Sequence, residues 1–253
     1  MSPGLETAAQ KVSDAQLTGL DESHLCPVGD GHYLCPMAAT AFAELQHEAA
    51  KAGFLLSIAS SYRSFARQLI IWNGKLRGQR PVHDDRGNAL DLSRLTDAGR
   101  IAAVLRFSAL PGSSRHHWGT EVDVFDANAL AEGESVQLLP SEVCAGGPFD
   151  ALHCWLDERM ARNASCGFFR PYAVDRGGVA PERWHLSFAP LSCHLERRIS
   201  PELLRWAWES GDIAGRHILE QALPELLERY VSVPPGWAPA SAESLAGPAT
   251  DGG

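Results

Sequence analysis

The stretch Ser114–Asp123, with the sequence SRHHWGTEVD, constrains this chain more than any other. It holds two potential metal ligands, His116 and Asp123, with six residues between them. After Gly119 the residues alternate between two faces, as is typical of a strand, and this alternation fixes the face on which Asp123 lies. The chain is therefore expected to turn at this glycine and to enter a strand that presents a carboxylate.

A third candidate ligand, His185, follows 62 residues after Asp123, in the sequence ERWH. Catalytic zinc usually has three protein ligands from His and Asp or Glu, with water in the fourth position. Two imidazoles and one carboxylate leave the ion a net charge of +1, so it can still lower the pKa of a bound water. Glu182 precedes His185 by three residues and is a candidate acid/base for that water. We predict a zinc site formed by His116, Asp123 and His185.

Other assignments stay open from the residues alone. A lone His is more often a satisfied polar residue than a ligand, and spacing barely separates His116 from His117. Glu182 could be a surface charge, and Arg63 a solvated or salt-bridged arginine. The cysteines at 144, 154 and 166 could hold zinc with His153, although nothing in their spacing favours it.

Composition excludes several classes of protein. The 253 residues, 45% of them hydrophobic, suit one large domain or two small ones with a sizeable core. A net charge of −9 without Lys/Arg blocks disfavours nucleic acid and anionic membranes as partners. No apolar run approaches the roughly 20 residues of a membrane span. No signal peptide is indicated, so we expect a cytoplasmic protein as the sequence stands, or an envelope protein if a leader is missing. The six cysteines leave disulfides and buried thiols equally open.

Hydrophobic periodicity and turn residues predict an alternation of helices and strands. Beyond residue 200 the sequence Ser-Pro-Glu signals a helix start, and Pro224 is expected to kink or break the helical pattern that follows. Helices are predicted at 37–52, 65–75, 98–105 and 149–164, strands at 54–60, 120–125, 167–172 and 184–188, and loops at 76–93 and 127–148.

Arg63 occupies a position at which scaffolds often present polar groups to ligands. It follows the predicted strand at 54–60 and precedes Ser64, a predicted helix N-cap. Functional side chains are common in such connecting segments.

Three blocks of the sequence resemble the VanY-type D-alanyl-D-alanine carboxypeptidases, zinc metallopeptidases of the lysostaphin/D-Ala-D-Ala/hedgehog-like group that trim bacterial cell-wall peptides. The sequence SSYRS at 60–64, followed by Gln68, is similar to the family's SGYRS…Q. SxHxxGxExD at 114–123 is similar to SxHxxGxAxD, and ExWH at 182–185 to EPWH. The order and rough spacing of the blocks also agree, and the resemblance spans about residues 17–190.

This resemblance implies a role for each matched residue. His116, Asp123 and His185 would be the Zn²⁺ ligands, which selects His116 over His117, and Glu182 would be the general base and acid. The other matched residues would engage substrate: Arg63 near the scissile bond, at the carbonyl or carboxylate, with Gln68 and Ser114 in support.

The sequence departs from the family pattern at three positions. Glu121 replaces a small residue, Ser61 replaces Gly, and Arg183 replaces Pro. Glu121 shares a strand face with Asp123, so we expect an extra negative charge near the site, with more effect on substrate preference than on zinc.

The resemblance implies an α+β fold in which a small antiparallel sheet carries the zinc site and helices surround it. We expect an extended N-terminal segment at 1–20 and a peptidase domain at 21–233 that includes extra C-terminal helices at 200–231. A tail rich in Pro, Ala, Gly and Ser at 234–253 is expected to be disordered.

The function implied is zinc-dependent hydrolysis of the terminal D-Ala-D-Ala bond in peptidoglycan stem peptides or their precursors. An L,D-carboxypeptidase, a D,D-dipeptidase and a murein endopeptidase are alternatives on the same scaffold, and the loops at 76–93 and 127–148 would choose between them. A non-catalytic module that binds zinc and cell-wall peptide is the rival from another class. The presence of Glu182 and Arg63 argues against it, because binding alone requires no base.

Overall fold

Two antiparallel sheets form the framework of the protein, whose computed structural model describes residues 9–234 and 236–239. A hairpin of two strands lies beside a sheet of four. In the described residues the strands are β1 Cys26–Gly29, β2 His32–Leu34, β3 Leu56–Ser60, β4 Glu121–Asp126, β5 Phe168–Phe169 and β6 His185–Phe188. The helices are α1 Asp14–Leu17, α2 Pro36–Lys51, α3 Phe65–Leu76, α4 Asp97–Leu105, α5 Pro140–Val143, α6 Asp150–Ala161, α7 Ala189–Glu196, α8 Pro201–Trp208 and α9 Arg216–Tyr230.

The four-stranded sheet has the order β3-β4-β6-β5, and all of its strand pairs are antiparallel. Asp123 of β4 is paired in register with His185 of β6, and Glu121 with Ser187. Residues two apart on a strand project from the same face, so these four side chains share one face of the sheet. The pairing of the two inner strands thus brings together residues that are 62 positions apart in the chain.

Two hydrophobic clusters flank this framework. The first covers the opposite face of the inner strands, where Val122 and Leu186 pack with the buried sides of α2 and α6. The second joins α3 and α4 to the C-terminal helices through buried aromatic residues such as Trp72 and Trp208. The indole nitrogen of Trp208 donates to Pro111 O at 2.8 Å. The helices beyond residue 200 are therefore part of the folded unit and not an appendage.

The structure confirms the predicted α+β class. The helices predicted at 37–52, 65–75, 98–105 and 149–164 correspond to α2, α3, α4 and α6, and the strands at 54–60, 120–125 and 184–188 to β3, β4 and β6. Ser64 caps α3, since its hydroxyl accepts from Arg67 N at 3.2 Å. This cap fixes the end of the β3–α3 connection, and thereby the position of Arg63.

The N-terminal segment differs from the expectation. Residues 1–20 were expected to be extended, but α1 lies within them and its Leu17 is buried in the core. A capping box stabilises this short helix, because Ser13 and Gln16 each bond the other's backbone N–H. The expectation is wrong for residues 9–20, while residues 1–8 lie outside the described part.

The C-terminal part holds two further differences. A kink or a break was expected at Pro224; the proline lies inside α9, which is not broken there. The buried face formed by Leu219, Leu223 and Leu227 anchors the helix on both sides of the proline. Of the tail expected to be disordered, residues 235 and 240–253 lie outside the described part. Trp237 packs inward and donates to Arg170 O at 2.9 Å.

Several elements were not predicted or are shorter than predicted. The strand expected at 167–172 is reduced to β5, and neither the β1–β2 hairpin nor α7 was foreseen. The loop at 127–148 contains α5.

All six cysteines are described and have free thiols. Within the described ranges, no helix has both the length and the apolar character needed to cross a membrane.

Candidate metal centre

Three side chains converge on one face of the sheet. Nε2 of His116 lies 3.4 Å from Oδ2 of Asp123, and Nδ1 of His185 lies 2.9 Å from Oδ1 of the same carboxylate. One ligand atom from each residue falls within 4.8 Å of the others. All three residues are buried, between 2% and 6% exposed. In the part of the chain that the structure describes, no other group of three or more His, Cys, Asp or Glu residues has this geometry.

The second nitrogen of each imidazole is held by an acceptor outside the cluster. Nδ1 of His116 lies 2.7 Å from Ser61 O, which can only accept, so this nitrogen carries the proton. Nε2 of His185 donates to Oε2 of Glu121 at 2.9 Å. Each ring therefore turns its remaining nitrogen toward Asp123. This is the arrangement of metal-binding histidines, whose other N–H is usually bonded to a carbonyl or carboxylate. The donor set and its supports fit a divalent cation such as zinc.

The adjacent histidines 116 and 117 point in different directions. They belong to a 3-10 turn, and His117 is fully buried away from the cluster. Its Nε2 accepts from Gly112 N at 3.0 Å, and its Nδ1 donates to Arg63 O. Burial lowers the pKa of His117 to about 3, so the ring is neutral. His117 thus ties the turn to the β3–α3 connection, while His116 faces Asp123.

Gly119 ends this turn in the left-handed conformation, with φ of +68°. A Cβ at this position would lie 2.3 Å from Leu25 Cδ2 and 2.9 Å from Cys35 N. Both the backbone conformation and the close approach of Leu25 and Cys35 therefore require glycine here.

Glu121 lies behind His185 and does not line the cleft. Its Oε1 accepts from Ser187 at 2.8 Å and from Thr120 at 3.1 Å, and Arg115 Nε lies 3.5 Å away. Burial acts to raise the pKa of Glu121, but the charge of Arg115 and the hydrogen bond from His185 outweigh it and lower the pKa. The extra negative charge expected near the site is present, and it acts on a candidate ligand instead of facing substrate.

Glu182 lies at the edge of the cluster. Its Oε2 is 3.9 Å from Nδ1 of His185, and its side chain is 14% exposed, toward the cleft. Burial raises the pKa of Glu182 to about 7, with help from the charge of Asp123 and against the charges of His185 and Arg63. A carboxylate with a pKa near neutrality is suited to both accept and return a proton.

Arg63 lines the cleft and is oriented by two neighbours. Nη1 donates to Oε1 of Gln68 at 2.9 Å, and Nη2 to Ser60 Oγ at 3.3 Å. Gln68 is fully buried and also donates to Ala109 O at 2.6 Å. Gln68 therefore does not line the cleft, and it positions the guanidinium that does.

The cluster opens into a cleft of about 500 Å³. Ser114 lines it, as do parts of both loops that were expected to shape the pocket. The residues that line the cleft but were not foreseen include Lys75 and Tyr172. The ring of Tyr172 packs 5.1 Å from that of His185; it lies at the end of the stretch predicted as a strand, 167–172, but beyond the observed β5. Lys75 had a signal, since it follows Gln68 by seven residues, two turns along the same face of a helix.

The fold and the site together define a class: a sheet protein with a buried centre of two His and one carboxylate at the base of a cleft, the donor set of metal-dependent hydrolases. The family model described as VanY, D-alanyl-D-alanine carboxypeptidase, matches residues 31–191. The chain belongs to this family of peptidases. The matched range includes every site residue named from the sequence and ends before α8 and α9.

Similar proteins include two from Haemophilus influenzae (strain ATCC 51907 / DSM 11121 / KW20 / Rd), each named only as an uncharacterized protein. One is 47% identical over 104 residues, 40% of this chain and 71% of that protein. The other is 36% identical over 124 residues, which make up 48% of this chain and 92% of that protein. Among solved structures, VanYB in complex with D-Alanine-D-Alanine has 20% identity and a TM-score of 0.48, covering 74% of this chain and 88% of its own. The LdcB LD-carboxypeptidase has 19% identity and a TM-score of 0.47, and the match covers 78% of this chain and 82% of that one.

Proposed function

We propose that this protein is a zinc-dependent D,D-carboxypeptidase that hydrolyses the terminal D-Ala-D-Ala bond of peptidoglycan stem peptides or their precursors. Membership of the VanY family supports the substrate class. The observation that carries the proposal is the position of Glu182, 3.9 Å from a candidate ligand and open to a cleft that Arg63 also lines. A site that only binds peptide has no need of a buried carboxylate with a pKa near 7.

In this proposal His116, Asp123 and His185 hold the zinc ion. Zinc bound there would supply Lewis-acid chemistry, polarising the scissile carbonyl and lowering the pKa of water. Oε2 of Glu182 accepts the proton of the attacking water and then delivers it to the amine nitrogen of the leaving alanine. The raised pKa of Glu182 matches both steps, because the group exchanges a proton at little cost near neutral pH.

Arg63 would stabilise the negative charge that develops on the carbonyl oxygen. Its guanidinium is already held by Gln68 and Ser60, so little reorganisation accompanies the reaction. Burial strengthens the interaction, because the effective dielectric constant around the group is lower than in water. Ser114 lines the same cleft and would contribute a hydroxyl to substrate binding.

We also propose that residues 21–233 act as one peptidase domain that includes the helices at 200–231. The packing of α8 and α9 on α3 and α4 supports this organisation. The indole of Trp72 in α3 donates to Ala214 O at 3.0 Å, just before α9. Removal of the C-terminal helices would expose the side of α3 that packs against them. This is the helix that carries Gln68.

The test is an incubation of the zinc-loaded protein with a muropeptide pentapeptide, with released D-alanine detected by mass. Glu182→Gln is expected to keep its zinc and to lose turnover by about 10²- to 10⁴-fold. Glu158→Gln, on an exposed helix surface, is the matched control and should keep full activity. Full activity of Glu182→Gln would remove this residue from the mechanism.

The other outcomes separate the alternatives. Release of alanine from a tetrapeptide indicates an L,D-carboxypeptidase, hydrolysis of the free dipeptide D-Ala-D-Ala a D,D-dipeptidase, and cleavage of cross-linked peptide an endopeptidase. No release of any product by the zinc-loaded protein favours the non-catalytic binding module.

A further inference from the structure

Two cations line the cleft without a carboxylate partner. Among the described residues, no Asp or Glu oxygen lies within 4.0 Å of the side-chain nitrogens of Arg63 or Lys75. Arg63 is bonded to the neutral side chains of Gln68 and Ser60. Lys75 donates only to the carbonyl of Phe107, at 3.2 Å. An ammonium group has three N–H donors, so two of those on Lys75 remain for a ligand.

Several other buried or half-buried arginines among the described residues have acidic partners. Arg115 is paired with Glu196 at 2.5 Å, and Arg183 with Asp150 at 2.7 Å. A partly buried cation without such a partner loses hydration that nothing in the protein replaces. Burial accordingly lowers the pKa of Lys75, and the charge of Arg63 adds to this, against the charge of Glu182. A carboxylate ligand would reverse this effect by favouring the ammonium form.

The acidic residues that line the cleft have other partners. Asp123 belongs to the metal cluster, and Glu182 lies beside it. Asp84 is half-buried, and its carboxylate accepts from the backbone of Arg86 at 2.9 Å and of Asn88 at 2.8 Å, within its own loop. The cleft therefore offers positive charge at Lys75 to whatever enters it.

We propose that Lys75 binds the α-carboxylate of the C-terminal residue that is released, and so restricts the site to peptides with a free C-terminus. This inference rests on the proposed carboxypeptidase function. Arg63 then serves the scissile carbonyl and Lys75 the terminal carboxylate, one residue further along the substrate. One residue spans at most about 3.3–3.6 Å, so both groups of the substrate fit within the one cleft. The ammonium group of lysine is a compact charge on a flexible stem, so it can reach a carboxylate at the end of a peptide chain.

The test compares a stem pentapeptide that ends in a free acid with the same peptide as a C-terminal amide, using the zinc-loaded protein. For the wild type we expect kcat/KM to be about 10- to 100-fold higher for the acid, the value of a charge-assisted hydrogen bond. Lys75→Met should lower kcat/KM for the acid by the same factor, mainly through KM, and leave the amide value unchanged. Lys75→Arg should retain most of the preference.

The matched control is Lys51→Met, because Lys51 is exposed and pairs with Glu48 on a remote helix surface. Zinc content and circular dichroism should be unchanged in all variants. Equal cleavage of acid and amide by the wild type overturns the proposal, as does an equal loss on both peptides in Lys75→Met. If the wild type releases no alanine, the proposed function fails, and calorimetric binding of the two uncleaved peptides decides the role of Lys75. A preference for the acid that disappears in Lys75→Met supports that role, and equal affinities overturn it.

Discussion

Oε2 of Glu121 lies 2.9 Å from Nε2 of His185, on the side of the ring opposite to Asp123. Glu121 is itself fixed by hydrogen bonds from Ser187 and Thr120. Metal-binding histidines commonly donate their second N–H to a carboxylate, which sets the tautomer and raises the basicity of the ligand. Glu121 therefore positions His185 for the ion. Glu121 lies on β4, where it is the register partner of Ser187 on β6.

Removing the charge of Glu121 is expected to weaken metal binding. Glu121→Gln keeps the size of the side chain but no longer presents an anion to His185. We expect zinc affinity to fall by about 10- to 100-fold, measured by competition with a chromogenic chelator. Glu158→Gln serves as the control, and an unchanged affinity in Glu121→Gln would show that the contact has no influence on the ion.

Zinc binding is expected to release a proton from His185. Burial acts to lower the pKa of His185, but hydrogen bonds to Asp123 and Glu121 outweigh it and raise the pKa to about 10 in the metal-free protein. At pH 8.5 the free protein therefore carries a proton on Nδ1, which a metal ligand must lose. Glu182, with a pKa of about 7, is already ionised at that pH.

Calorimetry at pH 8.5 in two buffers of different ionisation enthalpy should report about one proton released per zinc bound. The release should decline as the pH rises through 10, because His185 is then neutral before the ion arrives. A value of zero at pH 8.5 would contradict the assignment.

The two adjacent histidines are expected to respond differently to substitution. His116→Ala removes a ligand and should abolish stoichiometric zinc binding. His117→Ala should keep the zinc but lower the free energy of unfolding by about 2–5 kcal/mol, because it leaves a cavity and strips Gly112 N and Arg63 O of their partner. Metal analysis and urea denaturation measure the two effects, and loss of zinc in His117→Ala alone would reverse the assignment.

Gln68 is expected to affect turnover through Arg63. Gln68→Leu removes the acceptor that holds the guanidinium, and the resulting misplacement should lower kcat/KM by up to about 100-fold with zinc content unchanged. Gln46→Leu is the matched control, because Gln46 also donates to a backbone carbonyl, that of Leu56, but has no contact with Arg63. Equal losses in both variants would indicate general destabilisation and not positioning.

Much of the candidate centre could be predicted because short-range rules govern it. The alternation after Gly119 puts Asp123 on a defined face, and the N-cap at Ser64 ends the segment that carries Arg63. The choice between His116 and His117 needed the family pattern, because a tight turn sends neighbouring side chains in different directions and spacing does not say which.

The rest depended on contacts that are distant in the sequence. Glu121 was placed on the correct face, but its role depends on the strand pairing that sets it against Ser187 and His185. Pro224 was expected to kink or break a helix, and the packing of the buried leucines in α9 keeps the helix continuous through it. The spacing of Lys75 from Gln68 indicated only a shared helix face; that this face borders the cleft follows from the position of α3 relative to the sheet.

The pairing of Asp123 with His185 across the inner strands has a consequence for the protein in the absence of its ion. The backbone there is held by the sheet on both sides, so chelation is expected to empty the centre while the chain stays folded. The positive charge of the protonated His185 ring, which donates from Nδ1 to Asp123 and from Nε2 to Glu121, then takes the place of the missing ion. Loss of the metal would thus inactivate the protein reversibly. The metal-free protein would regain activity when the ion is supplied again, without having to refold.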